Sequence, residues 1–197
     1  MLQGIWQAID DRRFEQAEAL LRSDQDVLVS RAGQMALGYL LAHTARQDEA
    51  RSVFQTLRDA HRDDPWEHIA VHQLARVERL AGQHGRALAL LGEERALVEA
   101  LDDHAHELAV NALEQARNLR ALGRLEEARA ALDACEQHAG PADPETLARA
   151  ERERGELSRA QGHAGAARLH FERAIAAYRE AEDEVGAREV EELMEES

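Results

Sequence analysis

The chain has no lysine, one cysteine, three prolines and few aromatics, and each scarcity removes a class of protein. A single thiol, Cys135, cannot close an internal disulfide, so a disulfide-stapled secreted scaffold is excluded and a reducing compartment fits. No apolar run approaches the roughly 20 residues a membrane span requires. Met1 to Trp6 show no basic region followed by an apolar stretch, so no secretory signal is read and a cytoplasmic location is expected. The formal net charge of −15 opposes nonspecific contact with nucleic acid or an anionic membrane, and neither is expected as a partner. All 24 basic residues are arginine and alanine is abundant, the codon signature of a GC-rich genome, so a bacterial source is expected.

What is present is good helix-forming material: Ala, Leu, Glu, Arg and Gln dominate, and β-branched runs are few. An alanine recurs in a fixed context. Ala17, Ala50, Ala87, Ala128 and Ala167 are each followed four residues later by a bulky residue: Leu21, Phe54, Leu91, Leu132 and Phe171. Twelve residues before the last four stands a small residue: Gly38, Ala75, Ala116 and Gly155. The anchors are spaced by 33, 37, 41 and 39 residues, a period that belongs to stacked helix pairs.

The pattern predicts an all-α chain of about five antiparallel helix pairs in a single domain over residues 1–197. The pairs fall at about 2–22, 29–62, 65–100, 103–138 and 143–182, with a terminal helix over 184–195. Gly82, Gly123 and Gly162 each stand five residues before an anchor alanine, where a left-handed residue ends one helix and lets the next fold back. The second pair has Ala45-Arg46-Gln47-Asp48 there, a less standard turn. Asp64 and Asp143 precede Pro65 and Pro144, an N-cap followed by proline at the first helical position.

The small residue, the glycine turn, the anchor alanine and the bulky residue one turn on resemble the tetratricopeptide repeat (TPR) family across nearly the whole chain. Leu37-Gly38-Tyr39 and Phe171-Glu172-Arg173-Ala174-Ile175 are near-matches to its motif. Gln115 and Arg154 depart from it, standing where the family prefers a large apolar residue. The longer spacings are similar to those of kinesin light chains and of some bacterial transcriptional regulators.

The resemblance implies a right-handed α-solenoid in which the first helix of each pair lines a concave groove. Counting back from the anchors then places Tyr39, His72, Arg76, Arg79, Arg117, Arg120, Arg152 and Arg159 on that face. Guanidinium groups bind carboxylate or phosphate through bidentate, charge-assisted hydrogen bonds. The arginines therefore read either as an anion-binding track or as a solvated face paired with Glu78, Glu114 or Glu153. The function implied is binding of a protein or peptide, acidic or extended, in that groove. Two alternatives are the effector module of a bacterial regulator and a self-associating solenoid, for which the partner is a second copy.

No catalytic constellation is legible, so no enzyme, cofactor or metal is assigned. His68 and His72 have a chelating i,i+4 spacing, but no cysteine or well-placed carboxylate completes a set. Cys135 lies where the repeat wants a small core residue and reads as a buried thiol. Trp6 and Trp66 read as packing anchors. The segment from Glu180 to Ser197 has nine acidic residues and one arginine. It reads as a solubilising cap; a sharper alternative lays it along the arginines.

Overall fold

The structure, a computed structural model, describes residues 1–140 and 143–195. It divides into two compact units, Met1–Leu97 and Val98–Ser197. Among the described residues every regular element is an α-helix. The first unit contains α1 (Leu2–Asp10), α2 (Phe14–Arg22), α3 (Gln25–Val29), α4 (Arg31–His43), α5 (Gln47–Ala60), α6 (Glu67–Leu80) and nearly all of α7 (His84–Val98). The second contains α8 (Ala105–Ala121), α9 (Leu125–Ala139), α10 (Pro144–Ala160), α11 (Ala164–Glu180) and α12 (Glu184–Glu195).

One turn recurs six times. At each hairpin the middle residue of a three-residue link is left-handed: Arg12, Ala45, Gly82, Gly123, Gly162 and Glu182. The following N–H donates to the carbonyl five residues back, as Gln83 does to Glu78 at 2.8 Å and Arg46 to Leu41 at 2.9 Å. This is the Schellman closure, which satisfies carbonyls that the ending helix leaves bare. Glycine occupies the strained position in only three of the six turns. Each left-handed residue stands five before a buried alanine, and Ala187 extends that register to α12.

The anchor alanines and the bulky residues four positions on are all buried. The small residues twelve positions back explain how paired helices approach. A Cβ added at Gly38 would lie 2.4 Å from Cζ of Phe54, and one at Gly155 would lie 2.4 Å from Cε1 of Phe171. Sixteen residues separate the members of each pair. Ala75 and Ala116, in the same register, precede Leu91 and Leu132. Glycine goes with phenylalanine and alanine with leucine, so volume is conserved across the contact.

Three local readings need correction. Residues 25–29 form the short helix α3, where no helix was expected before about Val29, and the first long helix of that pair, α4, begins at Arg31; Asp24 caps α3 by accepting from the Asp26 and Val27 N–H groups. Pro65 does not open a helix. Asp64 instead accepts from the Trp66 N–H at 2.5 Å, and α6 begins at Glu67, whose carboxylate accepts from the Asp63 N–H. α8 begins at Ala105 rather than at Asp102–Asp103. Before α10 the expectation holds: Asp143 caps through the Thr146 N–H and Pro144 takes the first turn. Pro141 and Ala142 of the loop read there lie outside the described residues.

Candidate functional site

The first unit gathers aromatic and cationic side chains at the C-terminal end of α4. Tyr39 and His43, one turn apart, stack with ring centroids 4.3 Å apart. Trp6 of α1 meets Tyr39 edge-on at 6.2 Å, and Phe14 of α2 stacks on His43 at 5.9 Å. The chain has seven Phe, Trp and Tyr residues, and three of them meet here. The guanidinium carbon of Arg76, from α6, lies 5.1 Å from the Tyr39 ring centroid, within cation–π range.

His43 is the residue the sequence did not single out. Burial, with the positive charges of Arg76, Arg12 and Arg79 added, pushes its pKa down to about 4. The imidazole is therefore neutral at physiological pH. Its Nε2 is buried without a hydrogen-bond partner. The i,i+4 spacing of Tyr39 and His43 was its one visible signal; Phe14 and Arg12 reach it only through tertiary packing.

The second unit treats its arginines differently. Arg117 pairs with Glu114 at 2.6 Å and approaches Glu153 at 3.8 Å. Arg120 hydrogen-bonds Glu153 and approaches Glu156 at 3.8 Å. Arg159 closes on Glu156 at 2.8 Å. The result is one alternating ladder crossing from α8 to α10. Glu114 and Glu153 are only 4% and 5% exposed. Burial works against the Arg117 charge, but the flanking Glu114 and Glu153 carboxylates hold it firmly protonated. Arg152 joins Glu189 of α12 at 2.9 Å. α12 also buries Ala187 and Val190 in the cluster that holds Phe171 and Tyr178, as a cap must.

The remaining site candidate is His72, whose Nδ1 lies 3.0 Å from both carboxylate oxygens of buried Glu94. Glu78 accepts from Arg51 at 2.6 Å. Among the described residues no group of three or more His, Cys, Asp or Glu converges to hold a metal, and no helix is long and apolar enough to cross a membrane. Cys135 is buried, which pushes its thiol up to about 11. Trp66 is not a core anchor: it is 45% exposed, with the Arg31 guanidinium 3.8 Å above its ring.

Two solved structures share this architecture. One is Bacillus thuringiensis PlcR in complex with the peptide PapR7 and DNA, at a TM-score of 0.77 and 11% identity, covering 96% of this chain and 72% of that one. The other is BtubC (BKLC) from P. vanneervenii, at a TM-score of 0.64 and 15% identity, covering 96% and 88%. No protein-family model and no curated protein sequence matches the chain. At such identities the likeness concerns fold: the chain has an all-α, TPR-like helical-repeat fold.

Proposed function

We propose that the chain is a peptide-binding module of the TPR-like kind, holding an extended segment that bears acidic groups, and that it is not an enzyme. The observation that carries the reading is the cluster of Tyr39, His43 and Arg76 in the first unit. It combines a half-buried cation, flat aromatic surface and an unused ring nitrogen, the elements that fix a short polar-aromatic segment. The repeat spacings of 37 to 41 support the long-repeat variety seen in kinesin light chains and regulator TPR domains.

A regulatory setting is the second reading, favoured by the fold of PlcR, which was crystallised with a peptide and DNA. On this reading the chain is the effector part of a cytoplasmic bacterial regulator. The net charge of −15 argues against direct contact with nucleic acid here.

The test is selection from a random peptide library on the immobilised chain, followed by fluorescence polarisation on the enriched sequences. Enrichment of acidic sequences that bind saturably is expected. A library returning no saturable binder overturns the reading.

A further inference from the structure

Arg76 differs from five other half-buried arginines. Arg51, Arg58, Arg117, Arg120 and Arg152 are comparably buried, and each has a carboxylate within ion-pair distance. Arg76 is half-buried in a chain of net charge −15, yet its partner among the described residues is the face of Tyr39. A guanidinium over an aromatic face keeps its hydrogen-bonding edge available for a planar anion. Beside it stands an imidazole whose buried Nε2 makes no hydrogen bond.

We infer that Arg76, seated over Tyr39, binds a ligand carboxylate, and that filling this seat is coupled to uptake of a proton by His43. The inference rests on the peptide-binding reading and names the group recognised. The groups facing His43 are Arg12 from the turn between α1 and α2, Arg76 and Arg79 from α6, Tyr39 on its own helix, and the uncharged ring of Phe14. Burial, reinforced by three guanidinium charges, keeps the imidazole neutral when the seat is empty. A carboxylate on Arg76 offsets the guanidinium that acts most strongly on His43 while its burial persists, so the folded pKa of His43 rises from about 4 but stays below its ordinary 6.5. Binding then takes up protons between about pH 4 and that raised value. Affinity therefore increases as pH falls through that window, by at most about tenfold per pH unit, until the ligand carboxylate itself protonates.

The carboxylate could belong to an acidic side chain or to a peptide C-terminus. Three probes separate them: acetate, an amide-capped peptide with one glutamate beside phenylalanine, and its glutamine version ending in a free carboxylate. NMR of the imidazole of His43 is followed against pH with each probe, for the wild type and for Arg76→Gln.

Acetate should raise the midpoint of His43 in the wild type and leave it unmoved in Arg76→Gln, whose helical circular dichroism is unchanged. The peptide that moves it further identifies the source. A wild-type midpoint unmoved by acetate and by both peptides overturns the seat. If library peptides still bind Arg76→Gln at wild-type affinity, the seat fails while the peptide-binding reading stands. If no peptide binds either protein, that reading fails by itself, and acetate alone decides the seat.

Discussion

Replacing Gly38 by alanine is expected to help or harm the first unit according to what stands at position 54. The added Cβ would lie 2.4, 2.7 and 2.8 Å from Cζ, Cε2 and Cε1 of Phe54, closer than carbon atoms approach. Overpacking of this kind costs about 1–3 kcal/mol. Against it stands a gain of about 1 kcal/mol from replacing a mid-helix glycine. With phenylalanine at 54 the steric term wins, and Gly38→Ala should destabilise by roughly 1 kcal/mol. Phe54→Leu removes the colliding atoms and copies the Ala75–Leu91 and Ala116–Leu132 pairings. In that background Gly38→Ala should stabilise by about 1 kcal/mol, a coupling energy near 2 kcal/mol between the positions. Both tryptophans, Trp6 and Trp66, lie in the first unit, so urea unfolding followed by tryptophan fluorescence isolates it from the second. A Gly38→Ala effect of the same sign and size in both backgrounds would refute the argument that the small and bulky positions are matched in volume.

Four further outcomes follow from the same geometry. The folded pKa of His43 is depressed, so the unfolded chain protonates first; as pH falls from 6.5 toward 4, His43 should cost the first unit about 3 kcal/mol, and His43→Gln should remove that slope from the fluorescence-monitored stability. Arg120→Gln leaves buried Glu153 with only the longer contact to Arg117 and should cost about 2–4 kcal/mol in thermal unfolding, most of it restored by adding Glu153→Gln. Ala45→Gly places glycine at a left-handed turn residue and should stabilise the first unit by about 1 kcal/mol, where a loss would count against the turn geometry. Cys135, buried and with its thiol pushed up to about 11, should resist iodoacetamide at neutral pH until urea unfolds the second unit; rapid labelling of the native protein would contradict its burial.

The repeat was legible because close helix packing restricts residue types at fixed offsets. A small residue facing Phe54 or Phe171 and an alanine at the crossing leave a pattern that counting recovers. The helix α3 left none, since five residues are too few for helical periodicity to register. The left-handed conformations of Arg12, Ala45 and Glu182 were equally silent, although the register placed the Ala45 turn itself, because only glycine advertises a left-handed residue.

Spacing along one helix placed Arg117 and Arg120 on a common face, but their partner Glu153 comes from α10. Counting residues selects a face and not the carboxylate that reaches it. His43 illustrates the same limit. Alone it reads as a cation at the end of a helix. Only Phe14 and three arginines arriving from other elements make it a half-buried neutral ring. Exchanging Arg117 and Arg120 for glutamate would therefore place carboxylates beside buried Glu153. Arg76, which pairs with no carboxylate among the described residues, is the informative position.

The most direct test is isothermal calorimetry of a library-selected acidic peptide against the wild type and Arg76→Gln, at neutral pH and near pH 5.5, in buffers of different ionisation enthalpy. Saturable binding by the wild type, tighter at the lower pH with net proton uptake, and a loss of at least about tenfold in Arg76→Gln are expected. Equal affinity in both proteins, with no proton uptake at either pH, would contradict the account.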